Sequence, residues 1–206
     1  STGNQSVTGV GFQPKAIIFF FNKETADGTS TSFTSGIGLA VSSSSRAACA
    51  WSGTDGSNPT VGGRRHDDTS CIMLCNTTGA AIIDADFVSM DSDGFTINVT
   101  TADATSRIIN YIALGGTDLS NVFIKEFTTP TGTGNQAQTG VGFQPEAMLL
   151  ISSLFGTSPT NGSGTGVNLG SIGMASGAAN QGAMGIRTGN GVSPQVNEKL
   201  QKTNKI

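Results

Sequence analysis

The chain has 206 residues, of which only 12% are charged and 29 are glycine, and its formal net charge at pH 7 is −3. Because no basic stretch is longer than Arg64-Arg65, the sequence lacks the positive patch that binding to nucleic-acid phosphates requires. No apolar run approaches the roughly 20 residues of a membrane-spanning helix. We therefore expect neither a nucleic-acid partner nor a membrane partner.

The composition favours β-strands over helices. Thr, Ile, Val and Phe are plentiful, whereas the helix-favouring residues Leu, Glu and Lys are scarce. Gly, Ser and Asn supply the turns that join short strands. Dense apolar runs such as Ala16–Phe21 indicate that the strands enclose a packed core.

A thirteen-residue segment occurs twice in the chain. Thr2–Pro14 (TGNQSVTGVGFQP) returns as Thr133–Pro145 (TGNQAQTGVGFQP), identical at eleven of thirteen positions. An internal repeat of this kind predicts a duplication. We expect a first β-sandwich repeat at residues 1–129 and a second one, incomplete as given, at residues 130–206.

Each copy of the repeat contains the motif Gly-Val-Gly-Phe-Gln-Pro. We predict a structural role: glycine supplies an unusual φ, phenylalanine occupies an equivalent buried place in each copy, and proline stiffens the chain before the next strand. Gly9-Val10-Gly11 and Gly132-Thr133-Gly134 are similar to phosphate-binding loops, but neither follows a strand and begins a helix, so nucleotide binding is unsupported. The motif residues are Gly9, Gly11, Phe12 and Pro14, and then Gly140, Gly142, Phe143 and Pro145.

In chain order, the first predicted element is a buried strand at Lys15–Asn22, which is a continuous apolar run. Ile37–Val41 and Ala47–Trp51 alternate on either side of a Ser42–Ser45 turn and predict a hairpin. Further strands are predicted at Cys71–Cys75, Ala81–Met90, Phe95–Thr100, Arg107–Leu114 and Val122–Phe127.

The turn signals indicate how these strands are arranged. Asp91–Gly94 ends in Asp-Gly, which is among the strongest sequence signals for a hairpin. About eight short strands per copy, with turns every 8–12 residues, are typical of an antiparallel sandwich or jelly roll. The predicted fold class is therefore all-β, with two tandem antiparallel β-sandwich domains.

Three cysteines, Cys49, Cys71 and Cys75, do not form a disulfide framework. Cys71 and Cys75 lie four residues apart on one predicted strand, which is too far for a bond between them. Two alternatives follow: Cys49 bonds to one of the others across a sheet, or all three are buried free thiols.

His66 is the single histidine, and it lies within the charged run Arg64–Asp68. A nucleophilic triad needs a histidine between a Ser or Cys and a carboxylate. His66 and Asp67 have no G-x-S-x-G element beside them. We expect a charged surface loop here and no enzymatic activity, with a contact to a partner as the alternative.

The aspartates at positions 84–93 favour a structural role over a metal site. Asp91–Gly94 is similar to the opening of a calcium loop, but the rest of such a loop is missing. We expect a hairpin turn instead, with neither a metal nor another cofactor. Asp84 and Asp86 share one strand face, where Arg107 on a neighbouring strand is a candidate partner and a solvated face is the alternative.

Trp51 ends a predicted strand beside Ser52–Asp55. An aromatic ring next to polar groups is a common platform for sugars, so Trp51 is a candidate ligand site. The alternative is that Trp51 packs in the core or at a sheet edge.

Two segments carry a family resemblance. TGVGFQPKAIIFF and FVSMDSDGFTINVTTADATSRIINYIALGG resemble structural proteins of tailed bacteriophages. The same order of motifs is also similar to the H-type lectin fold, a small antiparallel sandwich that often trimerises. This chain has Tyr111-Ile112-Ala113 where that fold usually has a tryptophan.

The resemblance implies a structural protein of the virion, such as a capsid decoration (cement) subunit or another head or tail component. Its expected partners are other virion proteins and further copies of itself. The alternative is a carbohydrate-binding module on a tail fibre or spike, which would bind surface glycans during host attachment.

Overall fold

A computed structural model describes residues 1–153, 162–165, 168–188, 193 and 197–203. These residues form strands, turns and loops without α-helix, which confirms the all-β prediction. None of them belongs to a helix with the length and hydrophobicity needed to cross a bilayer. The strands are β1 (Gly3–Thr8), β2 (Ala16–Asn22), β3 (Phe33–Ser42), β4 (Ser45–Thr54), β5 (Val61–Asp67), β6 (Ile72–Cys75), β7 (Ala81–Asp91), β8 (Gly94–Thr101), β9 (Ile109–Leu114), β10 (Met148–Ser152), β11 (Gly162–Thr165), β12 (Asn168–Ala175), β13 (Gln181–Thr188) and β14 (Asn197–Thr203).

The strands pair antiparallel in three sheets. The cover sheet has the order β1-β8-β7-β6, and the central sheet has the order β11-β5-β4-β3-β2-β9. The second-repeat sheet has the order β10-β12-β13-β14. The cover sheet packs on one face of the central sheet, and β12 of the second-repeat sheet contacts β4 and β5 on the other face.

The main core lies between the cover sheet and the central sheet. Ile17 and Phe19 of β2 point into it from one side, and Phe87 and Phe95 of β7 and β8 point into it from the other. All four side chains are at most 2% exposed. Burying rings of this size supplies much of the hydrophobic stabilisation of a small sandwich.

Glycines let the two sheets approach closely. A Cβ on Gly38 would lie 1.7 Å from the carbonyl oxygen of Cys71, the residue before β6. A Cβ on Gly63 would lie 2.1 Å from the carbonyl oxygen of Asn76. At both places the cover sheet packs on the backbone of the central sheet, so a side chain has no room.

The two repeats share a strand arrangement. In the central sheet the adjacent strands run β5-β4-β3-β2, and in the second-repeat sheet the corresponding strands run β14-β13-β12-β10. Ile37–Ala40 of β3 and Ile172–Ala175 of β12 lie at matching positions. Among the described residues the second repeat contributes this sheet and β11. The division of the chain at residue 129 stays a prediction.

Most predicted strands of the first repeat are confirmed. Both predicted hairpins are present, since β3 and β4 join at Ser42–Ser45 and β7 and β8 join at Asp91–Gly94. The strand predicted at Val122–Phe127 is wrong, because this segment has no backbone pairing to a neighbour. Side chains hold it instead: Lys125 Nζ donates to the Thr139 carbonyl at 2.8 Å.

Candidate functional site

The first copy of the repeat motif forms a loop that binds the turn of the β7–β8 hairpin. The amides of Gly9 and Gly11 donate to the two carboxylate oxygens of Asp93 at 3.0 and 2.5 Å. Gln13 Nε2 donates to the Met90 carbonyl at 3.0 Å. Gly9–Gln13, the first GVGFQ loop, thus recognises both the carboxylate and the backbone of one hairpin.

The second GVGFQ loop, Gly140–Gln144, has the same backbone shape. Gly140 and Gly142 both have a φ of +82°, against +85° at Gly9 and +84° at Gly11. The prediction that these glycines supply an unusual φ is confirmed. In the described part of the chain, the Gly140 and Gly142 amides have no acceptor, and both residues are exposed.

The two motif phenylalanines differ in environment, so the prediction of equivalent buried places is wrong. Phe12 is 39% exposed, and its ring lies against Gly115. Phe143 is half-buried and lines a cleft between the repeats. The prolines differ too, since Pro14 is buried and Pro145 is exposed.

The aspartates of the hairpin are bound by protein donors. Asp91 accepts from Ser89 Oγ and Thr96 Oγ1, each at 2.7 Å, and these hydrogen bonds lower the pKa of Asp91. Both oxygens of Asp93 face the amides of the first GVGFQ loop. The confirmed hairpin thus gives both carboxylates hydrogen-bond donors from the protein. Among the described residues, no group of three potential ligands is arranged for a metal.

The candidate pairing of Asp84 and Asp86 with Arg107 is wrong. Arg65 Nη2 lies 3.8 Å from Asp84, and Arg46 Nη2 lies 3.9 Å from Asp86. Arg107 pairs locally with Asp103. Burial raises the pKa of Asp84, although its hydrogen bond from Ser70 opposes this.

The second-repeat sheet exposes apolar side chains on both faces. Its near face points toward the central sheet, where Ile151 and Ile172 pack on Trp51 and its neighbours. Other residues of the near face are open to solvent: Met174 is 62% exposed and Met184 53%. On the far face, Leu200 is 60% exposed.

The far face corresponds to the buried face of the central sheet. In the aligned strands the pairs are Gly38 with Gly173 and Ala50 with Gly185. A Cβ on Gly185 would meet only two atoms of its own sheet, at 3.8 and 3.9 Å. No cover sheet lies over the far face in the part of the chain that the structure describes.

An apolar cleft of about 1060 Å³ lies between the central sheet and the second repeat. Residues 118–127 of the connection between repeats form one wall, with Phe123 and Phe127 more than 40% exposed. Ile18, Leu39 and Leu149 line the opposite side. Its walls offer surface for an apolar partner, and they bring few charged groups together.

His66 lies on β5, inside a polar trio, so the prediction of a charged surface loop is wrong. The His66 Nδ1 atom is 3.5 Å from Cys49 Sγ, and Nε2 is 2.7 Å from Glu126 Oε1. Cys49 is only 2% exposed, whereas the side chains of His66 and Glu126 are 18% and 21% exposed. The trio fastens the segment after β9 to the central sheet.

Thiol, imidazole and carboxylate are the groups of a nucleophilic triad, but here the thiol is buried away from solvent. Hydrogen bonds to Cys49 and Glu126 raise the pKa of His66 to about 10, against desolvation, which lowers it. His66 is therefore charged at neutral pH. Cys49 is 2% exposed and packs against Ile37 and Trp51, so no substrate reaches its sulfur in this structure.

Replacing His66 with Gln, the residue found at the equivalent position 201, should lower the free energy of unfolding by about 2 kcal/mol at pH 7. Because the folded pKa of about 10 exceeds the unfolded 6.5, this stabilisation is complete below about pH 6.5 and is lost as the pH rises toward 10. Urea unfolding of parent and variant between pH 6 and pH 10.5 measures the difference. Two parallel stability profiles would contradict the role given to His66.

Trp51 is packed between the repeats. It is 7% exposed, and a Cβ on Gly170 would lie 2.6 Å from the indole Cε2. A buried indole offers no ring face to a sugar. Of the two alternatives for Trp51, the structure favours core packing.

The three cysteines are buried free thiols, as one alternative predicted. Desolvation raises the pKa of Cys71 to about 12 and that of Cys75 to about 11. Both are therefore neutral thiols at physiological pH and act as core residues.

Sequence reasoning missed Glu126 and Asp93 as functional partners. Glu126 lies sixty residues from His66, so no local spacing joins them. One sequence signal for Asp93 was available. An Asp-Gly hairpin offers a carboxylate and a Gly-x-Gly loop offers backbone amides, and these groups bind each other.

Comparisons with known proteins identify no relative of this chain. No family model matches it, and neither a curated protein nor a solved structure matches it at a significant level. The function proposed for it therefore depends on the geometry described above and on the resemblance of its motifs.

Proposed function

We propose that this protein is a structural component of a virus particle of the tailed-bacteriophage type, and that it acts by binding other virion proteins. A capsid decoration subunit is the first form of this proposal, and another head or tail component is the second. The observation that carries it is the second-repeat sheet, which presents apolar side chains to solvent on both faces. Exposed apolar surface of this kind is typical of protein–protein contact.

Three apolar residues of the near face are about half exposed or more. Met174 on β12 is 62% exposed, and Met184 and Ile186 on the adjacent strand β13 are 53% and 48% exposed on the same face. Methionine adapts its shape to a partner surface, which suits a binding face. The closed Cys49–His66–Glu126 trio is assigned no chemical step in this proposal, since a substrate would have to reach a thiol that is 2% exposed.

Self-association is part of the proposal. Among the described residues, β10 and β14 are the edges of the second-repeat sheet, and an edge strand is where a neighbouring chain pairs. Lys199 and Lys202 lie on β14, and lysines on an edge strand oppose unspecific pairing. A specific neighbour in an assembled particle would use the apolar faces beside this edge.

The proposal is tested on particles assembled from the genome that carries this sequence. Particles purified by density-gradient centrifugation are probed by mass spectrometry and by immunogold labelling with antibodies to this protein. We expect the protein at a fixed number of copies per particle, on the head or on the tail. A protein that never sediments with particles would refute the proposal.

The double substitution Met174→Ser and Met184→Ser should reduce incorporation into particles by about tenfold or more. Each methionine that becomes buried against a partner contributes roughly 1.5–3 kcal/mol to the free energy of binding. Folding should be almost unchanged, since both side chains are exposed in the free protein. Val88→Ser on the cover sheet, where Val88 is 36% exposed, is the matched control. Equal incorporation of the double variant and the control would contradict a role for the near face.

A further inference from the structure

Charged side chains of the central sheet and of the cover sheet meet beside β5. The Arg65 Nη2 atom lies 3.0 Å from Asp67 Oδ2 on the same strand and 3.8 Å from Asp84 Oδ2 on β7 of the cover sheet. A second guanidinium, that of Arg46 on β4, has its Nη2 atom 3.9 Å from Asp86 Oδ1 on β7. These five side chains, which we call the inter-sheet cluster, join the two sheets by charge.

The inter-sheet cluster carries a formal charge of −1 when all its groups are ionised. It contains three carboxylates and two guanidiniums, and a guanidinium stays protonated in proteins. The Arg65 guanidinium therefore has to serve two carboxylates, and it lies nearer to Asp67 than to Asp84. Because neighbouring like charges disfavour ionisation, the cluster favours the uptake of one proton, which makes it neutral.

Asp84 is the carboxylate with the weakest support for its charge. Asp67 accepts from the Thr69 amide at 2.9 Å and from the Thr69 hydroxyl at 2.5 Å, in addition to Arg65. The side chain of Asp86 is 37% exposed, so water solvates its charge. The side chain of Asp84 is only 14% exposed, and its guanidinium partner is 3.8 Å away.

The hydroxyl beside Asp84 suits a carboxyl group that gains and loses a proton. Ser70 Oγ is hydrogen-bonded to Asp84 Oδ1, and Ser70 is 1% exposed. A hydroxyl donates to a carboxylate and accepts from a carboxylic acid. Ser70 therefore offers Asp84 a hydrogen-bond partner in both protonation states.

We infer that the inter-sheet cluster is a proton-sensitive clamp: as the pH falls below neutral, Asp84 takes up a proton and the two sheets are held together more strongly. Proton uptake removes the repulsion between Asp84 and its neighbours Asp67 and Asp86, while Arg65 stays paired with Asp67. The clamp is a property of the first repeat and is independent of the proposed binding function.

The direction of the pKa shift at Asp84 supports this assignment. Burial raises the pKa of Asp84 and the charges of Asp67 and Asp86 raise it further, against the Ser70 hydrogen bond and the Arg65 charge. Ionised Asp84 therefore lowers the stability of the folded protein at neutral pH. This cost decreases as the pH falls through the folded pKa, and it is gone below the unfolded value of 3.8.

Two other titratable groups beside Asp84 keep their charge state in that pH window. Burial raises the pKa of Asp67, but the Thr69 hydrogen bonds and Arg65 outweigh burial, so the pKa lies below 3.8. The stability that Asp67 contributes is therefore lost only at more acid pH. Burial raises the pKa of the Cys71 thiol to about 12, which keeps it neutral.

Carbon-13 NMR of the full 206-residue protein measures the proton uptake directly. The side-chain carboxyl carbons of the aspartates are followed from about pH 7.5 to about pH 3, and the Asp84 signal is assigned by its absence in the Asp84→Asn variant. We expect Asp84 to titrate above 3.8 and at a higher pH than Asp67. Titration of Asp84 at or below 3.8 would overturn the inference.

The Asp84→Asn variant tests the effect on stability, because asparagine keeps the shape and removes the charge. Its urea midpoint at pH 7 should be higher than that of the parent, and the gain should shrink as the pH is lowered toward 3.8, where the parent Asp84 is itself protonated. Asp67→Asn should lower the midpoint at pH 7, since it removes the well-supported carboxylate. Asp55→Asn, at an exposed position, is the matched control for the change in net charge and should unfold like the parent.

Three further outcomes would contradict the clamp. The first is a lower midpoint for Asp84→Asn than for the parent at pH 7, or a failure of this variant to fold, since the ionised carboxylate would then be needed. The second is a gain for Asp84→Asn that does not change with pH. The third is an equal gain for Asp55→Asn, because net charge would then explain both.

Discussion

Phe95→Ala is expected to lower the free energy of unfolding by about 3–5 kcal/mol, the range for removing a buried aromatic ring. The Phe95 ring lies edge-on to Phe19 and Tyr111, with ring centroids 5.5 and 5.1 Å away. It also stacks on Phe87 at 6.3 Å. The loss should appear as a lower urea midpoint, since the substitution empties the contact between the cover sheet and the central sheet.

Phe20→Ala is the matched control for this substitution. Phe20 lies on β2 beside Phe19 but is 39% exposed. Its removal should cost less than about 1.5 kcal/mol, because less apolar area returns to water. Equal losses at Phe20 and Phe95 would show that the main core is not where the structure places it.

Gly38→Ala is expected to destabilise the first repeat by about 3 kcal/mol or more, above the usual range for an overpacked core. The added methyl group would lie 1.7 Å from the Cys71 carbonyl oxygen, and backbone atoms are unable to move aside cheaply. The cover sheet would have to shift away from the central sheet. Thermal unfolding followed by circular dichroism measures the loss.

The control for Gly38→Ala is Gly185→Ala. Gly185 corresponds to Ala50 of the first repeat, so this substitution places the same amino acid, alanine, at both positions. Its methyl group would meet ordinary contacts at 3.8 and 3.9 Å, so the change should fall within about 0.5 kcal/mol of the parent. A large loss at Gly185 would indicate that another sheet covers the far face in the free protein.

Local signals in the sequence predicted the hairpins well. The serine turn between β3 and β4 and the Asp-Gly turn between β7 and β8 lie at the predicted positions. In both, the turn chemistry and the alternating pattern on either side agree, so the register follows from neighbours in the chain. The apolar run predicted as a strand at Lys15–Asn22 is β2, in which Ile17, Phe19 and Phe21 are buried and Phe20 is exposed.

Long-range pairing explains the errors. Arg64–Asp68 looks like a surface loop because its residues are charged, yet β5 places them opposite remote partners such as Asp84 and Glu126. Val122–Phe127 has the alternation of a strand, but it is not in a strand, and Glu126 binds the His66 side chain. A pattern in one segment does not contain the position of its partner.

The repeat predicted the structure of the second GVGFQ loop but not the contact that the first loop makes. Eleven identities in thirteen residues predicted that the two loops share a structure, and their glycine φ angles differ by no more than 3°. The repeat did not reveal that the first loop binds Asp93, because that contact joins residues more than eighty positions apart. Only the structure shows what the motif recognises.

The central claim is that this protein belongs to an assembled virus particle and binds a neighbouring protein there through the apolar near face of the second-repeat sheet. A cryo-electron microscopy map of particles that contain this protein tests it most directly. The account predicts a neighbouring protein packed against Met174, Met184 and Ile186. A map in which these three side chains point into solvent would contradict it.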